Sequence, residues 1–231
     1  MSLWCVVPAA GKGLRVGGDL PKQYLPLNGR TVMQCTLDRL CCLPVEAVIV
    51  PVAANDNIAA TLAFRDATLI RFVEGGAERA DSVLAGLEAI AHQASDDDWV
   101  LVHDVARPCV RIEDIDLLLG MINEHPVGGL LANRVRDTMK RGVGDEVAET
   151  VPRDDLWHAL TPQVFRYGLL REALQAARDE GVAVTDEAQA IERRGEKPLL
   201  VEGARDNLKI TWPEDLQIAE AFLRLQDEAG L

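Results

Sequence analysis

Basic residues are in short supply: 24 Lys and Arg stand against 37 Asp and Glu in 231 residues, a formal net charge of −13. That balance excludes a general nucleic-acid binder, whose surface must displace counterions from phosphates with clustered cations. It leaves room for a small anionic ligand, provided that Arg and Lys are gathered locally against the overall field. Cysteine is sparse too. The five, Cys5, Cys35, Cys41, Cys42 and Cys109, are odd in number, show no CxxC spacing and sit mostly among apolar neighbours. Such usage speaks against disulfide and metal roles and for reduced core thiols in a cytosolic protein. No apolar run approaches the length of a bilayer span, and the apolar strand near the start is not preceded by a basic leader segment. A soluble, cytoplasmic protein with neither nucleic-acid nor membrane partners is expected.

What the sequence does have is alternation. Strand-like apolar runs recur at Leu3–Val7, Ala47–Val52, Thr68–Val73, Trp99–Val102, Gly128–Ala132 and Pro198–Val201. Helical patterns lie between most of them, at Val32–Leu43, Ile58–Phe64, Ala80–His92, Ile112–Ile122, Leu169–Glu180 and Asp186–Arg193, and a final helix spans Glu214–Gln226. This order predicts an α/β fold, a mostly parallel sheet with helices on both faces, with ligands at the C-terminal ends of the strands. One segment breaks the rule. From Asn133 to Val151 two polar, β-compatible arms flank "GVGD", a hairpin signal. A two-stranded ribbon with so little apolar face is marginal alone, so it is expected to protrude as an arm (133–153) and pack against a second copy of the chain. No repeat or linker divides the rest, and one domain over 1–231 is expected.

The first loop, "PAAGKGLR" from Pro8 to Arg15, follows a strand and carries two glycines. Such a turn offers backbone N–H groups to an anion. It is no Walker A loop, because Gly13 is followed by Leu14, and it lacks the third glycine of a dinucleotide fingerprint. Lys22 follows shortly after, between apolar anchors, so that Arg15 and Lys22 can both reach an anion held by the loop, a guanidinium fork beside a compact ammonium. Further along, "GGAERADSV" places two glycines before a helix start with Ser82 facing a base or ribose. "VHDVARP" ends a strand with Asp104, from which a carboxylate can meet Mg²⁺ or a ribose hydroxyl, and Arg107 follows. Arg153 and Thr161, Thr185 and Asp186, and Lys209 stand in later polar blocks. His103 and His158 read as hydrogen-bonded packing, Trp157 as a core or interface anchor, and Asp96-Asp97-Asp98 as a solvated turn.

Taken together, "PAAGKGLR", "PKQYL", "GGAERADSV", "HDVARP", "RDTMK", "LWHALTPQ", "TDEAQAIE" and "DNLKIT" run in order through nearly the whole chain. The set resembles the 2-C-methyl-D-erythritol 4-phosphate cytidylyltransferases of the non-mevalonate isoprenoid pathway. The resemblance implies a Rossmann-like nucleotidyltransferase fold, the substrates CTP and methylerythritol phosphate, and Mg²⁺ bound mainly through the CTP phosphates, with no metal ligands of the protein's own. It implies a nucleotide site at Pro8, Ala9, Ala10, Gly11, Gly13, Gly76, Ala77 and Ser82, where Ala77 stands at a position often acidic in related sequences. Arg15 and Lys22 would act at the reacting phosphate. Arg153, Lys209, Asp104, Arg107, Thr138, Thr161 and Thr185 would hold the acceptor. It further implies a homodimer through exchanged arms, with Thr138 and Arg153 serving the neighbour's site. From the chain length, the cyclase domain fused in some relatives is not expected. A cytidylyltransferase for another polyol phosphate, such as ribitol 5-phosphate, shares the CTP loops; the later blocks favour methylerythritol phosphate. A nucleotide-sensing module without turnover is the alternative from another class, and the presence of all the charged residues speaks against it.

Overall fold

The computed structural model describes residues 1–11 and 20–230. Its elements run in the order β1 (Leu3–Val6), β2 (Pro26–Leu27), β3 (Arg30–Thr31), α1 (Val32–Leu40), β4 (Val48–Val52), β5 (Ile70–Glu74), α2 (Arg79–Glu88), β6 (Trp99–Val102), α3 (Ile112–Ile122), β7 (Gly128–Arg134), β8 (Met139–Val143), β9 (Glu146–Val151), β10 (Trp157–Arg166), α4 (Tyr167–Asp179), α5 (Glu187–Arg193), β11 (Leu199–Glu202) and α6 (Pro213–Ala229). Seven strands form the central sheet in the order β11-β7-β10-β6-β1-β4-β5. All neighbours pair in parallel except β10, which runs antiparallel to both β6 and β7.

Side-chain alternation sends each strand's residues to two separate cores. Cys5, Val48, Val50 and Leu101 pack with Met33 and Leu37 of α1 and with Ile115 and Leu118 of α3. Trp4, Val6, Ile49, Val100 and Val102 face the other way, onto Val83 and Leu87 of α2, Leu170 and Leu174 of α4 and Ile191 of α5. Helices therefore cover both faces, as the alternation predicts. A third cluster seats Ala219 and Leu223 of α6 on Ala106, Cys109 and Ile210, fastening the loop after β6 to the C-terminal helix.

Three expectations need correction. The segment Ile58–Phe64 forms only a 3₁₀ turn at Ala59–Thr61, with Asp56 Oδ1 accepting from the N–H groups of Ile58 and Ala59 at 3.0 and 2.9 Å. An acceptor side chain at that position favours a turn over a continuing helix. Asp98 is buried rather than solvated: its carboxylate accepts from Ser2 N, Trp4 Nε1 and Ser95 N, tying the start of β1 to the turn before β6. Among the cysteines, Cys42 is exposed while Cys5 and Cys109 are buried.

The polar hairpin is present. β8 and β9 pair antiparallel around Gly144, whose φ of 59° is a conformation that glycine adopts at little cost, and Arg141 pairs across the ribbon with Glu149 at 2.5 Å. Its base begins later than Asn133, because β7 continues to Arg134 and pairs there with Trp157 at the start of β10. Val143 and Val147 on the ribbon are 72% and 65% exposed. Trp157 is half-buried at the foot of the arm, with the Arg134 guanidinium 4.3 Å from its ring centre.

Candidate active site

Along the sheet, the chain moves outward from β1 to β4 and β5 and then returns to place β6 on the other side of β1. That reversal opens a crevice at the strands' C-terminal ends, the place where open α/β sheets bind ligands. The cleft is lined by Pro8, Ala9, Ala10 and Gly11 after β1, by Lys22 and Gln23, by Gly76, Ala77, Glu78, Arg79 and Ser82 around the start of α2, by Asp104, Val105 and Ala106 after β6, and by Lys209.

Its floor is built from backbone. Beyond β1 the chain stays extended, with Val7 and Ala9 N–H groups donating to Ile49 and Pro51 carbonyls at 2.8 Å, and the buried Gln23 amide donates to the Ala9 carbonyl at 2.8 Å. The turn between β5 and α2 closes against this loop. A Cβ on Gly75 would lie 2.7 Å from Ala10 Cβ, and one on Gly76 would lie 2.2 Å from Asp81 Cβ, so both positions need glycine to let the backbones approach. Ser82 is 2% exposed; its hydroxyl accepts from Gly76 N–H at 3.1 Å and reaches the Glu78 carbonyl at 3.1 Å. Ser82 thus lines the cleft with its hydroxyl engaged by the glycine turn.

The wall is ionic. The Asp104 carboxylate meets Lys209 Nζ at 2.7 Å, Arg79 Nε at 2.9 Å and Arg107 Nε at 3.7 Å. Burial works to raise this carboxyl, but Arg79 and then Lys209 outweigh it and hold Asp104 well below the usual carboxylate range. Asp104 is thus an acceptor-only group already surrounded by cations, a setting that suits a substrate hydroxyl better than Mg²⁺. Among the described residues no group of three or more His, Cys, Asp or Glu side chains is arranged to hold a metal ion.

Behind Asp104 lies a strut of neutral groups. The Asp104 N–H donates to Thr161 Oγ1 at 3.0 Å; Thr161 Oγ1 is 3.1 Å from His103 Nδ1; His103 Nε2 is 3.0 Å from the Arg107 carbonyl. A carbonyl can only accept, so Nε2 carries the proton and Nδ1 accepts from the threonine hydroxyl. Burial pushes the His103 pKa down to about 4, keeping the ring neutral. Thr161, expected at the acceptor, is 4% exposed and committed to this strut. Arg107 is likewise buried, its NH1 donating to the Asn207 carbonyl at 2.7 Å, so it braces the loop after β6 and does not line the cleft. Asn207 also donates to the Thr161 carbonyl, and Ile210 N–H to the Ala106 carbonyl, which pins the Lys209 loop beside Asp104.

The remaining expected residues separate by place. Lys22 sits at the start of a 3₁₀ turn, Lys22–Tyr24, and its Nζ donates to the Ile210 carbonyl at 3.0 Å, next in sequence to Lys209 on the cleft lining. Thr185 is exposed in an adjoining groove that shares Glu78 and Arg79 with the cleft. Thr138 and Arg153 are exposed at the root of the arm, where the Arg153 guanidinium donates to the Arg136 carbonyl, and neither lines the cleft of its own chain. His158 is exposed, not packed. Arg15 and Gly13 lie outside the described residues. Sequence reasoning missed Gln23, Arg79 and Glu187. Arg79 stands inside the quoted glycine block, yet its partners are 25 and 108 positions away, and only the fold brings them together.

Comparison with known proteins agrees with the layout. The family model for 2-C-methyl-D-erythritol 4-phosphate cytidylyltransferase matches residues 3–225. Proteins of that name from Vibrio atlanticus (strain LGP32) and Vibrio cholerae serotype O1 are 49% identical over 98% of this chain and 97% of theirs, and 50% identical over 98% of each, respectively. The crystal structure of the Francisella tularensis enzyme of the same name superposes with a TM-score of 0.84 at 36% identity, covering 96% of this chain and 100% of that one. The chain belongs to the 2-C-methyl-D-erythritol 4-phosphate cytidylyltransferase family.

Proposed function

We propose that this chain transfers the cytidylyl group of CTP to 2-C-methyl-D-erythritol 4-phosphate, releasing pyrophosphate and supplying isoprenoid precursor biosynthesis. The observation that carries the reading is the convergence of the separate family blocks on one cleft: the first loop, Lys22, the glycine turn, Asp104 and Lys209 all line it. An oxygen of the acceptor phosphate attacks the α-phosphorus of CTP, and the bond to the pyrophosphate oxygen breaks. The attacking oxygen is already anionic near neutral pH, so no strong base is needed. His103 fits that economy, since both ring nitrogens are engaged in the strut. What the reaction needs is the approach of two anions and stabilisation of charge on the pentacoordinate phosphorus. Lys22, which lines the cleft, takes that charge, and Arg15 is assigned the same task by resemblance; Asp104 takes acceptor hydroxyls and Lys209 the acceptor phosphate.

Mg²⁺ would enter with the triphosphate and neutralise part of its charge, held by phosphate oxygens rather than by a protein cage. The acceptor side is completed by a neighbour. Thr138 and Arg153 stand at the root of an exposed ribbon with 72% and 65% exposed valines, which supports a homodimer in which each arm reaches the partner's cleft. A cytoplasmic location belongs to the same reading; among the described residues no helix is long and apolar enough to cross a membrane. Incubation of the purified protein with CTP, Mg²⁺ and methylerythritol phosphate, followed by mass spectrometry, tests the reading: the cytidine-diphosphate adduct and pyrophosphate are expected in equal amounts, and free CMP or unchanged CTP would overturn it.

A further inference from the structure

Glu187 is the most deeply buried carboxylate facing the cleft's ionic wall. Its side chain is 1% exposed, and it takes the whole fork of Arg79: NH1 to Oε1 at 2.6 Å and NH2 to Oε2 at 3.0 Å. The third edge of the same guanidinium, Nε, donates to Asp104 Oδ1 at 2.9 Å. A guanidinium is planar, so bonds on two edges fix its orientation, and with it the direction from which Asp104 is approached. Glu187 is itself held. It opens α5, whose cap Asp186 accepts from Gln189 N–H at 2.9 Å and from Gln163 Nε2 at 2.9 Å, while Gln163 Oε1 accepts from Ala188 N–H at 2.8 Å. The chain of contacts therefore runs from β10 through the first turn of α5 to Glu187, Arg79 and Asp104.

Stability alone gives little reason for this arrangement, because a buried ion pair is often matched or exceeded by apolar side chains of similar volume. Its effect on the cleft is more specific. Arg79 lines the cleft and its side chain is 28% exposed, so without an anion behind it the fork is free to turn toward a phosphate. Asp104 would then keep only Lys209 and the longer contact to Arg107.

We propose that Glu187 is a positioning residue for the acceptor: by occupying the Arg79 fork it keeps that cation off the phosphates and holds the Asp104 carboxylate toward the acceptor hydroxyls. This rests on the transferase reading for its substrate, and on geometry for its contacts, so the two are tested separately. In the full-length protein, a crystal structure of Glu187→Gln decides the geometry without reference to turnover: Arg79 Nε is expected to leave Asp104, and an unchanged Arg79–Asp104 contact overturns the proposal. Kinetics decide the consequence. Glu187→Gln is expected to raise the KM for methylerythritol phosphate on the order of 10- to 100-fold, as when a side chain that orients a ligating group is lost. The KM for CTP should stay within about threefold of wild type, Glu187→Asp should recover part of the loss, and adding Glu187→Gln to Asp104→Asn should cause no further loss. Equal rises in both KM values, or independent effects in the double variant, would overturn it. If Glu187→Gln does not fold, Arg79→Lys, which keeps a charge near Asp104 but cannot bridge both carboxylates, is expected to raise the KM for methylerythritol phosphate and not that for CTP, and equal rises in both would overturn the proposal. A wild-type enzyme inactive with methylerythritol phosphate would sink the transferase reading and leave the crystallographic result to decide the positioning.

Discussion

His103 is uncharged in the folded chain because it is buried, with 0% exposure, and because its two ring nitrogens serve a carbonyl and a hydroxyl. The pKa is lowered from 6.5 to about 4, so the unfolded chain binds a proton between those values that the native chain does not. Stability rises with pH wherever the unfolded state binds more protons; this contribution is full above pH 6.5 and is lost as pH falls toward 4. Complete loss amounts to on the order of 3 kcal/mol. Urea unfolding at pH 7 and pH 4.5 should show the drop in the wild type and a smaller one in His103→Asn; equal drops would remove His103 from the account. Asp104, whose pKa is depressed, adds stability that is full above the ordinary carboxylate range and is lost only below it, outside that window. Lys22 makes a different prediction, on rate. Lys22→Ala should lower kcat by about 10²- to 10³-fold, by analogy with removing one donor from an oxyanion site, with little change in unfolding midpoint; near-normal turnover would end its assignment to the reacting phosphate. At this scale the sequence is legible where a residue lies in a local block: Lys22, Asp104 and Lys209 stand in short motif-like blocks, and all three line the cleft. Glu187 and Arg79 were not singled out, since nothing local tells a buried bidentate pair from two solvated charges.

Elements were legible where periodicity was clean. α3 matches its expected bounds, Ile112–Ile122, and β6 its bounds, Trp99–Val102. β10 was missed, although it is the longest strand among the described residues. Its sequence "WHALTPQVFR" carries a proline and no sustained alternation, and its pairing with β7 shifts register between Ala159 and Gln163, around the proline that removes a ladder donor. A strand specified by its partners on both sides leaves a weak local signal. The hairpin is legible as a ribbon because its turn chemistry is local, while its root at Asn133 is not, because β7 and β10 extend into it. The arm carries a prediction of its own. If each arm serves the opposite cleft, mixing Lys22→Ala and Arg153→Ala subunits gives hybrid dimers with one intact site each. Random exchange makes half the dimers hybrid, so activity should recover to roughly a quarter of wild type. No recovery after subunit exchange verified by native mass spectrometry would place Arg153 outside a shared site.

For the molecule as a whole, the net charge of −13 and the task of binding two anions are reconciled by geography. Lys22 and Lys209 come from separated parts of the chain and converge at one crevice, raising the local potential where the overall field is unfavourable. The crevice exists because the strand order reverses at β1, and every lining segment leaves a strand end or a loop pinned to one. Fold and function were legible together in the sequence because the blocks that set the turns are also the blocks that carry the charges. The most direct test of this account is pyrophosphate release by the purified protein with Mg²⁺, comparing CTP with ATP, GTP and UTP, and methylerythritol phosphate with ribitol 5-phosphate. Release confined to CTP with methylerythritol phosphate is the result predicted, with Ala77 compatible with base selection; release with ribitol 5-phosphate instead, or with neither acceptor, would contradict it.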